Sequence, residues 1–209
     1  MADIHHLHPH DHHDRDGGPP SYYQAMEIAL RELLIEKGII TPDGVRRMVE
    51  FMDGRNPEYG AKMVARAWVD PEYKKRALAD GSAAAAELGI DVGLLKLVVV
   101  ENTDKLHNII VCTLCSCYPR NLLGLPPDWY KSRNYRSRAV NEPRAVLREF
   151  GTTIPDDMEV RVHDSTADMR YLVLPRRPAG TETLNEAALA KLVTRDSMIG
   201  VALADTPQT

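Results

Sequence analysis

Over the first ninety residues, apolar side chains recur at helical spacing. Met26, Leu30, Leu33 and Leu34 fall at i, i+4, i+7 and i+8, so 21–37 is expected to form a helix with one apolar stripe, stopped at Gly38. Thr41 followed by Pro42 is a cap-and-first-turn pair that opens a second helix, ending near Asp53. A third is expected over 59–69, with Met63, Val64 and Trp68 inward. Asp70–Pro71 repeats the cap-and-proline signal for a fourth helix through Leu78, and 82–88 makes a short Ala-rich fifth, ended by Gly89. Beyond residue 90 the pattern changes. Residues 95–101 and 107–111 are apolar and β-branched, as strands are. Leu125–Pro126–Pro127 interrupts the chain, 127–140 holds one or two helical turns, and 143–150 is a helix. Residues 158–163 and 169–174 are strands around a polar turn, Asp164–Ser165–Thr166. A helix over 184–193 and an apolar tail follow. Helices first, then strands with helices interleaved, give the α+β class.

Residues 1–20 stand apart. Six of the eight His lie here (His5, His6, His8, His10, His12, His13), and Gly17, Gly18, Pro19 and Pro20 close the segment. With nothing to bury, it reads as a disordered tail, either simply solvated or able to collect metal ions. The expected organisation is a tail over 1–20, a helical arm over 21–90 and a second domain over 91–209.

Among 209 residues, 44% are hydrophobic and 27% charged, enough for a substantial core, and the formal net charge is −4. No basic stripe suits a nucleic-acid partner. No apolar run is long enough to cross a bilayer, and the His- and Asp-rich start is unlike a signal peptide. The expectation is a cytoplasmic protein.

Composition matters most at cysteine. All three fall within Cys112–Thr113–Leu114–Cys115–Ser116–Cys117. A disulfide scaffold is excluded. Structural zinc normally takes four side-chain ligands, and there is no second Cys pair here; His107, His163 or a carboxylate would have to complete such a site. A tight Cys115–Ser116–Cys117 turn offers another arrangement. Thiolates two positions apart on one ion carry the intervening peptide nitrogens toward it. Three sulfurs and two amide nitrogens then fill five octahedral positions and leave the sixth open. Such a donor set suits a low-spin trivalent ion, cobalt or iron, which acts as a Lewis acid. Thiolates beside it can be oxidised to sulfenic and sulfinic acids. A redox thiol pair and inert buried cysteines are the competing readings of the spacing.

Val111–Cys112–Thr113–Leu114–Cys115–Ser116–Cys117–Tyr118–Pro119 resembles the metal claw of nitrile hydratase α subunits. Leu123–Gly124–Leu125–Pro126–Pro127, Tyr135–Arg136–Ser137–Arg138, the segment Arg176–Arg177–Pro178–Ala179–Gly180–Thr181 and residues 193–200 also fit that family, as do Gly60–Ala61–Lys62 with Trp68 and Val100–Glu101–Asn102–Thr103. The resemblance covers roughly residues 22–201. It implies a helical N-terminal arm followed by a layered α/β domain, the metal-binding catalytic domain of 91–209. It further implies one Co(III) per α subunit, held by the sulfurs of Cys112, Cys115 and Cys117 and the backbone nitrogens of Ser116 and Cys117. Cys115 would be sulfinic and Cys117 sulfenic. Thr113 resembles the cobalt type; the iron type has Ser there. The implied reaction hydrates a small nitrile to an amide, with Cys117 as nucleophile or base, or activating a water, and Ser116 tuning the site. The implied partners are a β subunit, as one chain or two smaller ones, in a higher heteromer, and an activator protein that loads the metal. The helix over 21–37 would then be a partner-wrapping arm, although its periodicity suits an ordinary core helix equally.

Departures from the family pattern fall close to the claw. Arg120 and His163 stand where most members have Trp, and no Gln precedes the Val100–Thr103 segment within 85–111. Both replacements would make a wall of the substrate pocket more polar, favouring a larger, polar or anionic substrate, unless both face a subunit interface. Tyr118–Pro119–Arg120 also resembles the metal subunit of thiocyanate hydrolase, which converts thiocyanate to carbonyl sulfide and ammonia. A metal-storage or metal-delivery protein is the reading from a different class.

Overall fold

The computed structural model describes residues 20–207. The expectation for the tail concerns residues outside this range, apart from Pro20. The chain divides after Val49 into two compact units.

The first unit contains α1 (Tyr22–Glu36) and the start of α2 (Pro42–Asp53). Ser21 caps α1 in a reciprocal box with Gln24, the Ser21 hydroxyl accepting from the Gln24 amide and the Gln24 side chain from the Ser21 amide. Gly38, at φ +67°, turns the chain out of the helix, with Ile39 N–H donating back to Leu34 O at 2.9 Å. No residue of α1 is buried, and Tyr22, Tyr23, Met26, Leu30 and Leu33 are exposed.

The second unit opens with three helices: α3 (Glu58–Val69), α4 (Pro71–Ala79) and α5 (Gly81–Glu87). Asp70 and Asp80 cap the latter two, accepting from Tyr73 N at 2.9 Å and Ala83 N at 3.0 Å. Then come β1 (Lys96–Glu101), β2 (Leu106–Val111), the helices α6 (Arg120–Leu123), α7 (Asp128–Lys131), α8 (Arg133–Asn141) and α9 (Pro143–Glu149), and β3 (Glu159–Asp164) and β4 (Met169–Leu174). The unit ends with α10 (Glu186–Ala190) and α11 (Arg195–Ile199). The class is α+β, as expected.

The strands joined by the polar turn do not pair with each other. β4 lies parallel to β1, and β3 parallel to β2. Burial along β2 follows from this. Every residue from His107 to Val111 is buried, as in a parallel strand covered on both faces, whereas β3 is partly exposed throughout. The C-terminal apolar stretch also departs from the expectation: the helix ends at Ala190, and Thr194 restarts the chain as α11 in a capping box with Ser197. Gly200 ends α11 at φ +91°, in a place where a Cβ would lie 2.0 Å from Asn108 O. This close approach seats α11 against β2. It also lets His107 Nε2 donate to Gly200 O at 2.7 Å while Nδ1 accepts from Asn102 Nδ2 at 3.3 Å. No described helix is long and apolar enough to cross a membrane.

Candidate metal centre

The cysteine loop leaves the carboxyl end of β2, the end of a parallel pair at which ligands usually sit. Val111, the last residue of β2, is in register with Asp164, the last of β3. Asp164 uses that position to hold the loop. Its Oδ1 accepts from Thr113 N at 2.9 Å and its Oδ2 from Thr113 Oγ1 at 2.5 Å. Two further groups fix the far side. Arg136 of α8 donates from Nη1 to Cys115 O at 2.6 Å, and the buried Tyr130 of α7 donates its hydroxyl to Cys117 O at 2.8 Å. Tyr135 anchors α8 to β2 through its hydroxyl on Ile110 O at 2.6 Å. Trp129, Tyr130, Tyr135 and Phe150 pack edge-on or tilted beneath it.

These contacts bring the three sulfurs together. Cys112 and Cys115 Sγ are 3.3 Å apart, Cys115 and Cys117 Sγ 3.1 Å, and all three lie within 4.8 Å of one another. With metal–sulfur bonds of about 2.3 Å, sulfurs at right angles sit about 3.3 Å apart and tetrahedral ones about 3.8 Å. The two spacings at Cys115 are those of adjacent octahedral positions. Among the described residues, no His joins the cluster. His107 is occupied by Asn102 and Gly200 O. The backbone also fits a five-donor set: the Ser116 and Cys117 amides lie near the Cys115 sulfur and favour its thiolate, and neither donates to a backbone carbonyl.

Protons distribute unevenly over the cluster. Hydrogen bonds from Cys117, and then from Cys112, lower Cys115 to about 7. Burial, and then the bond to Cys115, pushes Cys117 up to about 12. The hydrogen bonds converging on Cys115 thus favour the thiolate there over one at Cys117, and a thiolate is the form that takes up a cation.

The loop forms one side of a cavity of about 470 Å³. Cys115, Ser116 and Cys117 line it, whereas Cys112 is buried beneath, 1% exposed. Arg120, the first residue of α6, lines it as well. His163 does not: its Nε2 bonds Asn108 Oδ1 at 2.8 Å and its ring lies against Tyr171. Arg170, which the sequence did not single out, lines the cavity and binds Tyr118 O through Nε at 3.2 Å. Asp164, Arg136 and Tyr130 were also missed as site residues. Their only signal was position: Asp164 in the polar turn after a strand, and Arg136 inside a segment that fits the family.

Comparison with known proteins agrees with this geometry. The model of the family described as nitrile hydratase, alpha chain, matches residues 21–202. The α subunit of the low-molecular-weight cobalt-containing nitrile hydratase of Rhodococcus rhodochrous is 53% identical over 182 residues, 86% of this chain and 87% of that one. Among solved structures, a recombinant thiocyanate hydrolase with partially modified cobalt centres superposes with a TM-score of 0.85 at 41% identity, covering 90% of this chain and 92% of that one. A double mutant of the iron-type nitrile hydratase of Comamonas testosteroni Ni1 gives 0.83 at 42%, covering 91% and 94%. A cysteine triad at octahedral spacing, a match across both units and identity above one half over most of the chain converge on one assignment: the protein belongs to the nitrile hydratase α-chain family.

Proposed function

We propose that this chain is the metal-bearing α subunit of a cobalt nitrile hydratase, converting R–C≡N to the amide. The observation that carries the reading is the trio of sulfurs within 4.8 Å of one another, with Cys115 at 3.3 Å from Cys112 and 3.1 Å from Cys117 and two of the three on the wall of a 470 Å³ cavity. Cys112, Cys115 and Cys117 would hold one Co(III) through sulfur, and Ser116 and Cys117 through their backbone nitrogens. When bound, the ion supplies Lewis-acid activation of a nitrile or a water. Thr113 favours cobalt over iron, as does the cobalt-containing relative.

The protein's own groups divide the remaining work. Cys112 anchors from below. Cys117, as the sulfenate, attacks the nitrile carbon or takes a proton from water, with Ser116 tuning the site; that both line the cavity supports these roles. Cys115 carries the sulfinic state. Dioxygen is the oxidant for both. Asp164, Arg136 and Tyr130 hold the loop backbone so that the donors need not reorganise.

The partner is a β subunit, one chain or two smaller ones, in a higher heteromer. The exposed stripe Met26–Leu30–Leu33 of α1 is the face offered to it. An activator protein loads the metal in the cytoplasm. Neither nucleic acid nor membrane takes part.

One observation favours a second reading. Arg120 on the cavity wall suits the anion thiocyanate, which a thiocyanate hydrolase at TM-score 0.85 acts on, and His163 is withdrawn from that wall. The test is co-expression with the β partner in cobalt medium. Amide from a nitrile, chelator-resistant cobalt, and a 112–117 peptide carrying two oxygens on Cys115 and one on Cys117 are expected. Carbonyl sulfide from thiocyanate, with no amide, would establish the second reading. Exchangeable metal and no turnover would establish metal storage or delivery.

A further inference from the structure

The cavity beside the cysteine loop has two arginines on its wall, and their situations differ. Arg170 is committed to the backbone. It donates to Tyr118 O at 3.2 Å, to Ala167 O at 3.2 Å, to Met169 O at 3.1 Å and to Thr166 O. Its charge is spread over carbonyl groups that fix the strand-to-loop corner. The Arg120 side chain has no hydrogen-bond or ion-pair partner among the described residues, and it is exposed. Among the described residues, no Asp or Glu lines the cavity to neutralise it.

Most of the remaining wall is apolar, with Asn121 and Tyr118 as its other polar side chains. Met52, Val92, Leu95, Leu97, Leu122 and Pro126 contribute most of it. The volume, about 470 Å³, lies in the range that encloses ligands well beyond a three-carbon nitrile. The site thus brings three chemistries to one cavity: the reactive loop at Cys115–Cys117, a set of apolar side chains, and one unpaired guanidinium. A guanidinium in such a setting recognises a carboxylate through paired, charge-assisted hydrogen bonds. A mostly apolar wall with a few polar groups fixes a ligand's direction as well as its identity.

We infer that the preferred substrates are nitriles carrying a carboxylate, with the nitrile at the cysteine loop, the carbon chain along the apolar wall and the carboxylate on Arg120. The inference rests on the nitrile hydratase reading and names its substrate class. Arg120 is then a specificity-determining residue that binds the end of the substrate remote from the bond that reacts. Binding energy gathered there holds the nitrile carbon at the loop.

The experiment uses the cobalt-loaded complex with its β partner. It compares kcat/KM for 5-cyanopentanoate with that for hexanenitrile, a neutral nitrile of the same chain length. The carboxylate substrate is expected to be preferred by roughly tenfold or more at low salt, and the preference is expected to shrink as ionic strength rises. Arg120→Gln is expected to reduce the preference to about one, mainly through KM for the anion, and Arg120→Lys to restore part of it. In Arg120→Glu the preference is expected to reverse in favour of 6-aminohexanenitrile, which is cationic. Equal use of the anionic and neutral nitriles by the parent, or a preference unchanged in Arg120→Gln and Arg120→Glu, overturns the inference and leaves the nitrile hydratase reading intact. Failure to hydrate any nitrile while thiocyanate is consumed overturns both.

Discussion

Asp164 accepts two hydrogen bonds from Thr113, one from its amide at 2.9 Å and one from its hydroxyl at 2.5 Å. The pairing is possible because β3 runs parallel to β2 and ends level with it, so the last residue of one strand reaches the first turn beyond the other. A carboxylate that accepts from both an amide and a hydroxyl fixes the position and the direction of the loop at once. Cys112 immediately precedes Thr113, and Cys115 and Cys117 follow within four residues, so any slack here would be passed to all three sulfurs.

Asp164→Ala therefore leaves the Thr113 amide without its acceptor and loosens the start of the loop. Losing a group that orients metal ligands typically costs 10–100-fold in metal affinity or activity, and a loss of about tenfold in cobalt retention is expected here. Asp164→Asn keeps one acceptor and should fall between. The measurement is cobalt per chain after chelator challenge, with turnover alongside. Parent-like retention in Asp164→Ala would rule out the anchoring role.

Tyr130 anchors the other end of the loop and is fully buried. Tyr130→Phe removes one hydroxyl and leaves Cys117 O short of a donor, with the ring packing preserved. The expected cost is about 1 kcal/mol. For a chain of this size that corresponds to roughly 2–4 °C in Tm. A drop of that size with normal cobalt content would mark Tyr130 as a stabilising group. A larger fall in cobalt than in Tm would mark it as a positioning group for the claw.

Much of this was legible in the sequence, and the exceptions share a cause. The caps at Thr41 and Asp70 and the stop at Gly38 are local chemistry, so the helices they bound were readable. The cysteine triad lies within six residues and declared itself. Strand partnership is not local: the alternation of Val160 and Val162 marks a strand but says nothing of its pairing with β2. The helix α6 is four residues long, too short for a period to emerge. Asp164, Arg136 and Tyr130 act through space on a loop far from them in sequence. Only the register of β2 with β3 and the docking of α7 and α8 on that loop reveal them.

Gly200 and Gly151 separate two costs of a positive φ. Both lie in the left-handed region, at +91° and +80°. A Cβ at Gly151 meets nothing within 4 Å, so Gly151→Ala should cost about 1–2 kcal/mol of backbone strain alone. At Gly200 the same atom would lie 2.0 Å from Asn108 O, in the middle of β2. Gly200→Ala must push α11 off the strand and break the His107 bond to Gly200 O, so a loss above about 4 kcal/mol is expected. Urea unfolding of both variants checks the contrast, and comparable losses would show that α11 can shift freely.

Exposed apolar residues on α1 lead to a prediction about assembly. Leu30, 58% exposed, contributes nothing to the chain's own core. Leu30→Glu should leave the Tm of the isolated chain within about 1 °C, because surface changes away from packed features are nearly neutral. The same change should weaken association with the β subunit by at least tenfold, since it sets a charge in the middle of an apolar contact. Analytical ultracentrifugation of the mixed subunits measures it. Unaltered association would place the partner's contact elsewhere.

Acid should destabilise the second unit through its two internal histidines. Burial lowers the pKa of His107 below the ordinary 6.5, against a smaller upward effect of the bond to Gly200 O. Burial, and then the charge of Arg161, lowers that of His163. Both rings are neutral in the folded chain where the unfolded chain already binds protons. Stability is therefore fully present above about pH 6.5 and is lost as pH falls through the folded-state values. Asn102, His107, Asn108 and His163 form a connected polar path, so a proton on His107 turns its Nδ1 from an acceptor into a donor facing Asn102 Nδ2. Urea midpoints between pH 7.5 and 5 should fall more steeply for the parent than for His107→Gln. The slope is the quantity to compare, because the substitution also changes the midpoint at every pH. Identical slopes would mean that His107 takes up its proton in the folded chain as readily as in the unfolded one.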